Sequence, residues 1–210
     1  MQQDPCESGK LITLYGINNL GKTTQAKLLQ ERITGELRLR TKYIKYAIYD
    51  LKPTGPEINS YLRSSNPRSL SPREFQLLQI LNRTHYDETM RGDLSAGIQI
   101  IAEDYWATGV AWGMAAGVDR DFLICLNERL VKENIAVLLD GQRFSESIED
   151  NHGHESRDKL TEKSRLAHLE LAEMFDWPIV GVNRPELTPD QAILEVHEEV
   201  WSIVSPLFKT

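Results

Sequence analysis

Residues 11–25 read Leu11-Ile12-Thr13-Leu14-Tyr15-Gly16-Ile17-Asn18-Asn19-Leu20-Gly21-Lys22-Thr23-Thr24-Gln25. From Gly16 to Thr23 the chain is a full match to G-x-x-x-x-G-K-[ST], the phosphate-binding P-loop pattern. Its flanks are the ones the pattern needs. Leu11 to Tyr15 has the composition of a short buried strand. Residues 24–32 favour helix, with apolar side chains at helical spacing. A strand, a glycine loop and a helix in that order turn successive backbone N–H groups inward as an anion nest, and the helix dipole aims its positive end at the same point. Gly16, Asn18, Asn19, Leu20, Gly21, Lys22, Thr23 and Thr24 are therefore the candidate cradle for the phosphates of ATP. In such a loop the lysine, Lys22, reaches the β- and γ-phosphates, and the Thr23 hydroxyl offers a ligand to Mg²⁺. A chance match on a glycine turn would not explain the flanks.

Bulk properties narrow the class. A chain of 210 residues is long enough to bury a real core as one α/β unit. No window approaches a membrane span, and the polar start of the chain does not read as a secretory signal. Residues 1–9 read as a flexible leader, leaving 10–210 as one domain. Two cysteines, Cys6 and Cys125, argue for a reducing compartment, the cytoplasm, rather than a disulfide framework. A net charge of −7 disfavours a nucleic-acid surface but not a local phosphate site.

Strand and helix signals then alternate. Residues 43–49, 98–102, 135–139 and 178–182 read as strands. Helices are expected over 58–63, 72–90, 106–116, 160–175 and from Thr188 to about 206, with 121–132 helical or irregular. Ser71-Pro72-Arg73-Glu74 and Thr188-Pro189-Asp190-Gln191 are helix starts, a capping residue followed by proline. Leu166, Leu169 and Phe175 read as core. Residues 145–159 are polar and charged and read as a mobile loop. His152 and His154, with Asp150 and Glu155, lack a strong metal-ligand spacing. The alternation predicts a P-loop NTPase-type three-layer α/β sandwich, about five parallel strands with helices on both faces. Ligands in such sheets sit at the carboxyl ends of strands, here the P-loop, 50–53, 103–105 and 140–143. Glu103 and Asp104, at such an end, are candidates for holding Mg²⁺ through water or for accepting a proton from an acceptor hydroxyl.

Four segments in order resemble the thymidylate kinases over nearly the whole length. They are residues 16–25; Lys52-Pro53 with Gly55 and residues 58–62; Phe75-Gln76-Leu77-Leu78-Gln79-Ile80-Leu81-Asn82-Arg83, similar to the family's L-L-F-x-A-[ND]-R helix; and Glu103-Asp104-Tyr105-Trp106-Ala107-Thr108-Gly109-Val110-Ala111-Trp112, at the place of D-R-Y-x-x-S-x-x-A-[YF]. The resemblance implies transfer of the ATP γ-phosphate to dTMP or a related pyrimidine nucleotide, with Mg²⁺, in a homodimer acting on small nucleotides without nucleic acid or membrane. It implies an acceptor site of Lys52, Pro53, Gln79, Arg83, Tyr105, Thr108 and Trp112. It places a lid at about 143–160, with Arg143 or Arg157 covering the transferring phosphate, and it makes Lys22, Arg83, Glu103, Asp104 and Arg157 the candidate catalytic set.

The chain departs from the family pattern around the acceptor. The arginine of D-R-Y stands as Asp104, the base-stacking aromatic as Gln79, the P-loop acid that holds the sugar as Asn18, and an arginine before Glu-Pro as Leu51. Exchanging an arginine for an aspartate changes the local charge by two units, which in a desolvated cleft weakens a dianion's hold. Two other readings therefore stand beside the first. One is a deoxynucleoside kinase on the same scaffold, with Asp104 accepting a hydroxyl proton. The other is a nucleotide-binding protein without transfer activity.

Overall fold

The computed structural model describes residues 8–64, 66–144 and 158–209. Five strands form one sheet in the order β2-β3-β1-β4-β5: β1 (Leu11–Tyr15), β2 (Thr41–Lys45), β3 (Gln99–Glu103), β4 (Ile135–Asp140) and β5 (Ile179–Gly181). Every pairing is parallel, Leu14 lying beside Glu103 on one side and Val137 on the other. The order reverses direction at β1, so the crevice above β1 lies at the switch point where such sheets bind ligands.

The central strand explains the two cores. Side chains alternate along a strand, and β1 is apolar on both faces. Leu11 and Tyr15 join Ile100, Ala102 and Leu138 against Met90, Val110 and Leu171 on one side of the sheet. Ile12 and Leu14 join Ile101, Val137 and Leu139 against Leu29, Ile33, Val196 and Val200 on the other. The first side is covered by α3 (Pro72–Ser95), α4 (Trp106–Ala115), α5 (Arg120–Asn127) and α6 (Asp158–Met174); the second by α1 (Lys22–Glu36) and α7 (Pro189–Val204). A satellite cluster of Ile58, Leu62 and Phe75 seats α2 (Thr54–Arg63) on α3. Both predicted helix starts form full capping boxes, Ser71 with Glu74 and Thr188 with Gln191.

Four expectations change. Gly9, placed in the leader, is buried and its N–H donates to Leu94 O at 2.7 Å. β2 ends at Lys45 instead of 49. Beyond it the chain leaves the sheet, and Asn82 takes over the backbone groups of Ile48: its Oδ1 accepts from Ile48 N and its Nδ2 donates to Ile48 O, both at 3.0 Å. The Asn82 amide also donates to Thr54 Oγ1 at 3.0 Å, so this residue pins the β2–α2 connection to α3. On α6, Leu166 is 56 % exposed and Phe175 39 %. The buried stripe of α6 is Thr161, Ser164, Ala167, His168, Leu171 and Ala172. It faces α4, a helix rich in small residues, of which Gly109 and Gly113 turn to α3 and α5, where a Cβ would meet Arg83, Leu123 and Gln76. Finally, of the polar loop expected over 145–159, residues 145–157 lie outside those described, and 158 and 159 already belong to α6.

His168 is wholly buried in this stripe. Its Nδ1 contacts Ser164 O at 2.8 Å, and Nε2 has no hydrogen-bond partner. Burial holds its pKa at about 4, below the ordinary 6.5. The unfolded chain therefore binds a proton that the folded chain refuses, so stability is lost as pH falls from about 6.5 toward 4. Urea unfolding at pH 7.5 and pH 4.5 should show the wild type losing up to about 3 kcal/mol more than His168→Leu across that window. Equal losses would mean that the ring finds a proton acceptor when charged.

Candidate active site

The loop between β1 and α1 is shaped by one close approach. Gly16 has φ +137°, and a Cβ there would lie 2.4 Å from Leu139 O of β4. Only glycine lets the chain turn this tightly against β4. Asn19 at φ 65° and Gly21 at φ 79° continue the curl into α1. Asn18, Asn19, Leu20, Gly21, Lys22, Thr23 and Thr24 line a cleft of about 1310 Å³, so the predicted cradle is assembled, Gly16 forming its hinge. The Asn19 side-chain nitrogen is buried without a partner.

The charged floor of the cleft comes from strand ends. Thr23 Oγ1 donates to Glu103 Oε1 at 2.9 Å, and Lys45 Nζ, at the end of β2, pairs with the same oxygen at 2.9 Å. Tyr43 donates its hydroxyl to Glu103 Oε2. Burial alone would push the Glu103 carboxyl up, but the charges of Lys45 and Lys22 and the Tyr43 bond outweigh it and hold the carboxyl below its usual range. Glu103 is therefore an anion beside the Thr23 hydroxyl. A hydroxyl and a carboxylate oxygen, with room for phosphate oxygens, form the hard donor set that suits Mg²⁺.

Asp104 does not join that pair. It sits at φ 56° where β3 turns into α4, and its Oδ1 accepts from Thr108 Oγ1 at 2.9 Å and lies 3.6 Å from Lys22 Nζ. Burial pushes its carboxyl up, and neighbouring Glu103 adds to the rise against the pull of Lys22. Lys22 is itself buried and donates to Gly16 O at 2.9 Å and Ile17 O at 2.7 Å.

The remaining predicted acceptor residues separate into two groups. Arg83 of α3 packs against Gly109 of α4, the helix that carries Thr108 and Trp112, and Asp104 joins the start of that helix to the P-loop through Thr108 and Lys22. Arg83 Nη2 donates to Gln79 Oε1 at 2.8 Å. A Cβ on Gly109 would lie 2.4 Å from Arg83 Nη2, so the glycine makes room for the guanidinium. Arg83 Nε is buried with no partner, and burial pushes the guanidinium pKa down. Tyr46, packed 5.0 Å from Tyr105, likewise has a buried hydroxyl without a partner. Trp112 is buried. Lys52 and Pro53, by contrast, are exposed, and none of the seven predicted acceptor residues is in the lining of the cleft. Arg143 lines the cleft; Arg157 falls outside the described residues.

The far wall was missed by sequence reasoning. Four strand ends were considered, and the fifth, after β5, supplies Val182, Asn183, Arg184 and Pro185 to the lining, with Ile193 and Val196 of α7. Asn183 Oδ1 accepts from Gln142 N and its Nδ2 donates to Gln142 O at 3.2 Å, tying the chain before Arg143 to β5. Arg165 of α6 also lines the cleft and grips Asp140 with two bonds, 2.6 and 2.8 Å. Lys45 lay inside an expected strand and carried no motif. The rule of strand carboxyl ends, applied to β5, would have found Asn183 and Arg184; nothing in the local sequence marks Lys45 or Arg165.

A buried cation with one neutral partner is costly to the fold. Arg83→Met should therefore raise the free energy of urea unfolding by about 1 kcal/mol. A loss of stability instead would show that packing of the guanidinium stem and the attraction of Asp104 exceed its desolvation.

Three comparisons bear on this geometry. The family model for thymidylate kinase matches residues 14–186. A thymidylate kinase of Dictyostelium discoideum is 27% identical over 203 residues, 96% of this chain and 87% of that protein. A probable thymidylate kinase of Thermococcus kodakarensis is 30% identical over 209 residues, covering 91% and 92%. The solved structure of a Candida albicans thymidylate kinase superposes with a TM-score of 0.75 at 23% identity, over 95% of this chain and 92% of that one, a likeness of fold.

Proposed function

Because this chain belongs to the thymidylate kinase family, a nucleoside monophosphate kinase family that draws its phosphoryl group from ATP, we propose that its acceptor is dTMP or a closely related pyrimidine monophosphate. The observation that carries this reading is the junction at Glu103-Asp104. On one side it meets the P-loop through Thr23 and Lys22; on the other, through Thr108, it meets the α3–α4 wall where Arg83 keeps an unpartnered buried N–H. Donor phosphates and acceptor thus meet over two adjacent residues.

The reaction moves the γ-phosphoryl group from ATP to an oxygen of the acceptor's phosphate, breaking the bond to ADP and forming a nucleoside diphosphate. Little covalent work falls to the protein; positioning and charge stabilisation carry the rate. The loop amides and Lys22 hold the donor phosphates, and Arg143 stands at the rim where the chain enters the proposed lid, about 143–160. Arg83 and Gln79 orient the acceptor from α3, with Tyr105, Thr108 and Trp112 opposite. Thr23 and Glu103 would hold Mg²⁺, which when bound offsets the charge of the β- and γ-phosphates. The Val182–Pro185 wall excludes water from the donor side. A single domain, working as a homodimer in the cytoplasm, completes the proposal. No helix among the described residues is long and apolar enough to cross a membrane.

A coupled ADP-release assay with ATP and Mg²⁺ tests this, run against dTMP, dUMP, the other monophosphates and thymidine, with Lys22→Ala as control. Turnover with dTMP, lost by at least a hundredfold in the control (about 2.7 kcal/mol of barrier), is expected. Turnover with thymidine alone would assign a nucleoside acceptor. ATP binding with silence across the panel would leave a nucleotide-binding protein without transfer activity.

A further inference from the structure

Lys22 has partners within the protein on the P-loop and at the end of β3. Its ammonium has three protons. Two go to Gly16 O and Ile17 O, at 2.9 and 2.7 Å, and the third direction faces Asp104 Oδ1 at 3.6 Å. The carboxylate is fixed there. Thr108, four residues along at the start of α4, donates to the same oxygen at 2.9 Å, and the Asp104 N–H donates to Leu14 O at 3.2 Å, locking the turn out of β3. Both side chains are nearly solvent-free, 4 % exposed for Lys22 and 10 % for Asp104. Screening is therefore weak, and a charge at this distance counts.

We propose that Asp104 is a positioning residue that competes with the donor nucleotide's phosphates for Lys22. A phosphate oxygen that takes the lysine must enter the shell already held by the carboxylate, and the two anions repel. Asp104 thereby weakens the grip of the P-loop on ATP and ADP and returns Lys22 to its carbonyl partners when the product departs. This differs from either role expected from sequence. A water-mediated metal ligand or a proton acceptor would strengthen substrate binding or the chemical step; a competitor lowers affinity. Glu103 does not share the role, because its oxygens are taken by Thr23, Lys45 and Tyr43. The inference rests on the proposed function only through Lys22 as the lysine of the donor phosphates, and not on the identity of the acceptor.

The test is binding without chemistry. Dissociation constants for ATP and ADP are measured by calorimetry in EDTA, with no acceptor, for the wild type, Asp104→Asn, Lys22→Ala and the double variant. Asp104→Asn should bind both nucleotides roughly tenfold more tightly, about one charge contact's worth. That gain should vanish in the Lys22→Ala background, since the two changes act through one contact. Unchanged or weaker binding by a folded Asp104→Asn protein overturns the proposal, as does a gain that survives without Lys22, which would be a general effect of the field. Should Asp104→Asn fail to fold, Asp104→Ser removes the same charge and reads the same comparison. Structural damage does not tighten binding, so the sign separates competition from a merely structural role. Turnover with dTMP, measured separately, leaves this result standing whichever acceptor proves right.

Discussion

The tight passage of Gly16 beneath Leu139 is the constraint on which the site depends. A parallel sheet must place β1 between β3 and β4, and the backbone leaving β1 must clear β4 before it enters α1. A Cβ at Gly16 would lie inside the van der Waals radius of a main-chain oxygen that cannot move without breaking the sheet. With the turn fixed, α1 starts at Lys22, and the first free N–H groups of the helix face the same volume as the loop amides. The register of β1 against β3, Leu14 beside Glu103, then sets the carboxylate within reach of Thr23. The phosphate cradle and its acidic neighbour are both consequences of where one glycine lets the chain go.

Charge is balanced in pairs around that cradle. Lys22 and Lys45 face Glu103 and Asp104, so the four formal charges sum to zero before any ligand enters. Arg165 is tied to Asp140, and Arg184 to Glu195 and Glu199. A nucleotide carrying several negative charges would enter a cleft in which Lys22, Lys45, Arg165 and Arg184 each already have a carboxylate neighbour. The pairing offsets the desolvation cost of each ion locally, and under the proposed competition it would also limit how strongly the site holds phosphate.

How much of this was legible follows from how local each signal is. The P-loop and the two capping boxes were readable because their chemistry is completed within eight or fewer consecutive residues. The parallel sheet was readable because apolar runs alternated with helical spacing. β2 was read four residues too long because Tyr46, Ile48 and Tyr49 have strand-like composition, yet a buried asparagine thirty-four positions away from Ile48 takes their connection out of the sheet. On α6 the search for large apolar side chains chose Leu166 and Phe175. The helix instead buries Thr161, Ser164, Ala167, His168, Leu171 and Ala172, a stripe with one leucine among small and polar side chains, which a search for large apolar residues does not single out. Lys45 and Arg165 owe their place to strand order and helix packing, which no short window encodes, whereas Asn183 stands at a strand end that the carboxyl-end rule reaches. Asn82, which the motif comparison carried along beside Arg83, proves to act on the backbone of Ile48 and on Thr54.

The departures from the family pattern gain a physical meaning when seen together. Arg83 remains, held against α4 by the missing Cβ of Gly109 and engaged by Gln79 in place of an aromatic ring. An amide whose oxygen is already bonded to a guanidinium turns its two N–H donors elsewhere, so the wall presents hydrogen-bond donors where a ring would present a π-face. Across from it, Asp104 replaces a cation with an anion that bonds inward to Thr108 and Lys22. On the proposed reading, an acceptor on this wall would meet directed bonds from Arg83 and Gln79 in place of a stacking ring and a second arginine. Directed bonds discriminate by the pattern of a base edge, whereas stacking tolerates any ring of similar size. On that reading, a site that gives up charge for directed bonds would hold its ligands less tightly, tell them apart by hydrogen-bond pattern, and release the charged products of phosphoryl transfer with less hindrance.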